Sequence, residues 1–92
     1  MYELIFPENY KRIEKKFFKK HSELLSRYEK ILRLLKSNPF HPSLRLHNLN
    51  PPLEKFHSVS LTMKYRIIID FVVKGNKIIF INIAIHDKAY KK

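Results

Sequence analysis

Apolar and polar positions alternate with the period of a strand in some stretches of this chain and recur with the period of a helix in others. The strongest alternation lies in residues 65–73 and 77–85, YRIIIDFVV and KIIFINIAI, where β-branched and aromatic residues dominate. Lys74-Gly75-Asn76, which holds the only glycine, breaks the apolar run and predicts a hairpin. Residues 2–6 form a shorter strand candidate, ended by Pro7, a residue suited to the entry of a helix. A helix follows over 8–20, with Tyr10, Ile13 and Phe17 on one stripe. Ser22 predicts the N-cap of a second helix, with Glu23 placed to favour its dipole. Leu25, Tyr28, Ile31, Leu32 and Leu35 carry that helix to about residue 36, and Asn38-Pro39 stops it. Residues 39–52 contain four of the five prolines and read as a loop, anchored by Leu44, Leu46 and Leu49 while Arg45 and His47 project. A strand over 55–62 turns Val59 and Leu61 one way and Phe56, Ser58 and Ser60 the other. The order β-α-α-β-β-β predicts an α+β fold in one domain, 1–92. Its antiparallel helix hairpin packs on one face of a mostly antiparallel four-stranded sheet.

The length of the hairpin turn decides which rows of side chains share a face. The first arm carries Ile67, Ile69, Phe71 and Val73 on one side and Arg66, Ile68, Asp70 and Val72 on the other. The second separates Ile79, Ile81, Ile83 and Ile85 from Ile78, Phe80, Asn82, Ala84 and His86. A two-residue loop would set Arg66 and Asp70 beside the all-isoleucine row, where buried charge is costly. A three-residue loop, Lys74-Gly75-Asn76, gathers Arg66, Asp70, Asn82 and His86 on one open face, and Asn76 suits its left-handed position. Ile69 and Ile81 are then expected in the core and Phe80 on the open face.

Charge changes the picture most. Nineteen Lys and Arg against eight Asp and Glu give a net charge of +11 over 92 residues. That balance points to nucleic acid, an acidic protein or an anionic surface as partner. Six of the ten residues 11–20 are basic, a pattern that a solvated helix face also produces. There is no cysteine, which excludes disulfides and thiolate metal sites and suits a reducing cytoplasm. No apolar run is long enough to span a membrane, and MYELIFPENY lacks the pattern of a signal peptide. The five histidines show no metal-ligand spacing, and one core consumes the apolar residues, so no cofactor is expected.

Three phrases, LRLHNL (44–49), KYRIII (64–69) and IHDKAY (85–90), together with the element order and the basic charge, resemble the RelE/ParE superfamily of toxin–antitoxin toxins. The likeness is closer to the mRNA-cleaving RelE, YoeB and YafQ branch than to ParE. It implies a metal-independent endoribonuclease acting on mRNA at the ribosome in the cytoplasm, away from membranes, and neutralised by a cognate acidic antitoxin. Carried over residue by residue, it makes Arg66 the phosphate-binding arginine, His86 the C-terminal catalytic histidine, and Tyr90 the tyrosine near the scissile nucleotide. His47 falls where relatives carry a loop Lys or His. Arg45, Lys55 and Lys64 become phosphate-binding residues. Where many relatives have consecutive arginines, this chain reads Phe56-His57-Ser58-Val59-Ser60, and Leu44 replaces the YoeB-like glutamate.

Such residues suit the chemistry. The 2′-hydroxyl of RNA can attack its own phosphate if one group accepts its proton, another protonates the leaving oxygen, and a cation stabilises the charge on phosphorus. Histidine exchanges protons near neutrality. Arginine offers planar donors to phosphate and keeps its charge. Bland alternatives exist for both: Arg66 could pair with Asp70, and His86 with Asp87. Two other functions compete, a ParE-like inhibitor of DNA gyrase and a catalytically silent, partner-binding protein.

Overall fold

The computed structural model describes residues 1–72 and 75–85. In chain order the elements are β1 (Glu3–Ile5), α1 (Glu8–Lys20), α2 (Leu25–Ser37), β2 (His47–Asn48), β3 (His57–Ser60), β4 (Tyr65–Val72) and β5 (Lys77–Ile85). The strands form one sheet in the order β1-β5-β4-β3-β2. Among the described strands only β1 runs parallel to its neighbour, pairing Glu3, Leu4 and Ile5 with Lys77, Ile78 and Ile79. The sheet therefore has five strands among the described residues, rather than the four expected. The addition is β2, a two-residue strand within the proline-rich loop, where His47 and Asn48 pair with Ser58 and His57. Two residues between prolines carry no periodicity, so it left no mark in the sequence.

Both helices cover one face of the sheet. Glu8 in the first turn of α1 and Lys19 and Lys20 in the last complement the helix dipole. Tyr10, Phe18, Tyr28, Ile31 and Leu35 meet Val59, Ile67, Ile69, Phe71, Ile78 and Phe80 in the core. Ser22 opens one turn of 3₁₀ helix instead of capping α2, and no side-chain cap bond is made there. Leu25, expected in the core, is 43% exposed as a result. The helices are clasped by a buried chain of hydroxyls. Tyr10 and Tyr28 share a hydrogen bond of 2.8 Å, and Tyr28 donates to Glu14 Oε2 at 2.5 Å.

The β4–β5 hairpin departs from the expected parity. Its last pair is Val72 with Lys77, so the intervening stretch 73–76 is even in length, not three residues. From Tyr65↔Ile85 to Ile68↔Asn82 the register follows one sum, and from Ile69↔Phe80 to Val72↔Lys77 another, with a bulge between. One extra residue of β5 is absorbed there. Near the turn Ile78 and Phe80 enter the core; beyond the bulge Ile83 packs against it. Phe80 is thus inside, and Ile81 joins a second cluster with Leu49, Phe56, Ile68 and Ala84 on the opposite face. The bulge reconciles two demands that no constant alternation meets: Arg66 stays out of the helix-side core, and the large ring of Phe80 goes in. Asn76 does adopt the left-handed conformation, with φ 53°, beside Gly75 at φ 97°.

Candidate functional site

Arg66 lies at the centre of the sheet face away from the helices, opposite Ser60 on β3 and Ala84 on β5. Paired residues share a face, so the Ser60 hydroxyl stands beside the guanidinium. Arg66 Nη1 donates to Ser60 Oγ, and also to the Thr62 carbonyl at 3.3 Å. The β3–β4 turn presents that carbonyl because Thr62 Oγ1 accepts from the backbone N–H groups of Lys64 and Tyr65, both at 3.1 Å. Arg66 is only 7% exposed, far less open than a polar sheet face implies. Among the described residues no ion pair joins it to Asp70.

His47 is exposed on β2, opposite Ser58. Its Nδ1 lies 2.8 Å from the Arg45 carbonyl, which can only accept. The proton of the neutral ring is therefore on Nδ1, and Nε2 is the basic nitrogen. Arg45 itself takes a left-handed backbone, φ 51°, which turns the chain out of the single helical turn Pro42–Leu44 into β2. His47 and Arg66 share the open face with β3 between their strands; His47 is aligned with Ile68, so it lies about 10 Å across the sheet and about 7 Å along the strands from Arg66. Lys55 is exposed, its Nζ 4.9 Å from the centre of the Phe56 ring, and Lys64 holds the equivalent position 5.4 Å from Tyr65. His86 and Tyr90, the remaining residues assigned by resemblance, lie outside the described residues.

Several contributors were not foreseen. A cavity of about 350 Å³ brings Arg27 and Lys30 of α2 beside Arg45, Ser60 and Thr62, the last two being the groups that hold Arg66. Their spacing on the flank of the α2 stripe is visible in the sequence, but that helix reads there only as core scaffold. His57 turns to the helix side, its ring edge-on to Phe71 at 5.6 Å. Its Nδ1 is buried with no hydrogen-bond partner among the described residues. Burial lowers its pKa below the ordinary 6.5 and the nearby His47 lowers it further, while Asp70 opposes the shift.

Among the described residues no three metal-ligating side chains cluster, and no helix is long and apolar enough to cross a membrane. No known protein-family model matches the chain, and no curated protein matches it by sequence. Solved structures do match in shape. YafQ from E. coli BL21(DE3) superposes with a TM-score of 0.74 at 11% identity, covering 96% of this chain and 97% of that one. The YoeB/ParE toxin from Agrobacterium tumefaciens gives 0.69 at 16% identity, covering 91% and 98%. A copper-bound mutant toxin from Helicobacter pylori gives 0.68 at 20% identity, covering 96% and 98%. YafQ in the E. coli DinJ–YafQ complex gives 0.74 at 11% identity, covering 98% and 99%. Two helices on one face of a mostly antiparallel sheet, matched over nearly the full length of each partner, give this chain the fold of the RelE/YoeB/YafQ-like toxins.

Proposed function

We propose that this protein is the toxin of a toxin–antitoxin pair, and that its Arg66 face cuts mRNA on the ribosome without a metal. The observation that carries the reading is a guanidinium fixed by Ser60 and Thr62 on the same sheet face as His47, whose basic nitrogen is Nε2. A net charge of +11 and the shared fold support it. In this scheme Arg66 stabilises the charge that builds on phosphorus. His47 Nε2 accepts the 2′-hydroxyl proton as the 2′-oxygen bonds to phosphorus and the 5′-oxygen leaves. By resemblance, His86 protonates that leaving oxygen and Tyr90 holds the neighbouring nucleotide. Arg45, Lys55 and Lys64 bind the flanking phosphates. The partner that silences it in the cytoplasm is a small acidic antitoxin, as complementary charge suggests; YafQ, which shares the fold, is itself seen in a complex with DinJ.

The burial of Arg66 favours a second reading, in which the arginine is structural and the protein acts by binding, as a gyrase inhibitor or a silent partner-binding member. Primer extension on a translated message in cells expressing each form separates the two. Wild type should produce discrete cuts, and Arg66→Ala should reduce them by about 10²–10³. Loss of the buried hydrogen bonds should also cost about 1–3 kcal/mol of stability, so melting curves are run in parallel. Arg66→Lys keeps the charge without the planar fork and should recover the fold better than the cutting. Growth arrest by a folded wild type that leaves messages intact would establish the binding reading instead.

A further inference from the structure

Arg27, Lys30, Ile31 and Leu34 stand at i, i+3, i+4 and i+7 of α2, so they share one flank of the helix. That flank, the loop at Leu44 and Arg45, and the β3–β4 turn bound the cavity of about 350 Å³. Its floor is core, because Ile31, Leu44 and Leu61 are all buried. Its rim is cationic, with Arg27 and Lys30 exposed on α2 and Arg45 exposed on the loop. No carboxylate is in its lining, and the ion pairs among the described residues are Lys11–Glu8 and His21–Glu23. None of the three cations therefore has an acidic partner among the described residues. The hydrogen bond of Arg27 is a long one, from Nη1 to the Leu61 carbonyl at 3.5 Å. The shallow apolar groove that Leu49, Phe56, Ile68 and Ile81 form on the open face differs in having no cation among its described lining.

We propose that the cavity between α2 and the β3–β4 turn is a binding site for a small molecule carrying a diphosphate. Such a site needs no RNA cutting to exist, so it stands or falls apart from the function proposed above. Three like charges gathered at one cavity repel one another, and an anion among them removes that cost. A phosphodiester brings a single charge to such a spot. A terminal phosphate alone carries about −1.5 to −2 near neutrality, and a diphosphate concentrates more in two adjacent groups, which answers three cations. The two guanidinium groups offer planar donor forks and Lys30 a point charge, a set that suits several phosphate oxygens at once. The Leu61 carbonyl is a weak rival for Arg27, because a phosphate oxygen replaces its long bond with a charge-assisted one. The apolar floor lowers the local dielectric and strengthens each pairing. It also leaves room for a ring attached to the phosphates, since small-ligand sites start at about 300 Å³. Met63 is 89% exposed at the rim, and its unbranched thioether is adaptable enough to close over such a body.

The test titrates the full chain with inorganic diphosphate by isothermal calorimetry, in low-salt buffer free of divalent cations. Wild type should bind a single equivalent and prefer diphosphate to orthophosphate by about 10-fold or more. Arg27→Gln and Lys30→Gln, both at exposed positions, should each weaken the diphosphate by about 10-fold. Arg27→Lys, which keeps the charge without the fork, should fall between wild type and Arg27→Gln. Lys15→Gln and Lys19→Gln, on α1 and outside the cavity, should leave affinity within about 2-fold, because salt screens distant charges. Adenosine and guanosine diphosphates, titrated in parallel, identify the source of the phosphates. Tighter binding than inorganic diphosphate assigns the apolar floor to an attached ring, and equal or weaker binding assigns the site to the diphosphate alone. Equal affinity for orthophosphate and sulfate, or an equal loss in the α1 variants, would show a diffuse cationic surface and overturn the site. So would wild-type affinity in both Arg27→Gln and Lys30→Gln, or no saturable binding below about 1 mM. A single-stranded RNA with 2′-deoxy sugars and no terminal phosphate is the last probe. If it displaces the diphosphate and is itself weakened equally by Lys30→Gln, the cavity belongs to the backbone phosphates of RNA, which refutes the proposal.

Discussion

Replacing Phe80 or Ile81 by alanine tests the hairpin register near the turn, because the two residues exchange places if the pairing of Tyr65↔Ile85 to Ile68↔Asn82 runs on unbroken to the turn. Phe80 is 1% exposed; its ring stacks on Phe6 at 4.5 Å and 19° and meets Tyr10 at 5.2 Å. Emptying that site removes a full aromatic side chain from a close-packed core, about 3–5 kcal/mol. The two ring pairs place the loss in the upper half of that range. Ile81 is half-buried in the open groove, where solvent and neighbouring side chains can fill the gap, so Ile81→Ala should cost about 1–2 kcal/mol. A domain of this size has a stability of about 5–14 kcal/mol, so Phe80→Ala could consume half of it and Ile81→Ala a small part. Urea melts followed by circular dichroism resolve the difference, since with m of about 1–2 kcal/mol/M the midpoints should lie at least 1 M apart. Equal losses, or a larger loss for Ile81→Ala, would show that β5 alternates without interruption and that the face assignments are reversed.

Burial above all raises the pKa values of Tyr10 and Tyr28 over the ordinary 10.0. Above pH 10 the unfolded chain therefore loses protons that the folded one keeps, and stability should fall by about 1.4 kcal/mol per pH unit for each ring. Tyr28→Phe should flatten this alkaline fall and cost about 1–2 kcal/mol at neutral pH; identical alkaline slopes in urea melts would refute the clasp. His57 works in the opposite direction: its lowered pKa means that the unfolded state takes up a proton first as pH falls below 6.5, so stability declines there. His57→Phe should remove that component of acid destabilisation, and a pH series of melts that superposes on wild type below 6.5 would count against it.

Most of the architecture was legible because it rests on repeated signals. Tyr10, Tyr28, Ile31 and Leu35 recur at helical spacing, and Val59 and Leu61 alternate against Ser58 and Ser60; all are placed as that periodicity requires. The hairpin misled because parity propagates: one extra residue in β5 reverses every assignment on one side of it, and IIFINIAI has no glycine to mark where. Arg66 was assigned to its face correctly, since β4 alternates without a break. The Thr62 carbonyl that holds its guanidinium was not legible, because it is backbone and has no residue code. The apolar groove escaped for a related reason. It joins Leu49, Phe56 and Ile81 from three separate stretches, and each of these looks like ordinary core in isolation.

The parallel pairing of β1 with β5 has a consequence for the order of events at synthesis. Glu3 finds its partner only at Lys77, and its N–H bonds to the carbonyl of Asn76. The loop between them closes late, since distant pairings bear the largest entropic cost. As the chain emerges residue by residue, β1 has no strand to join until the hairpin that supplies β5 has also been extruded. The ring of Phe6 waits with it, because Phe80 is its stacking partner. The earliest-made segment of the domain is thus among the last to settle, and a half-made chain cannot complete the sheet that carries Arg66.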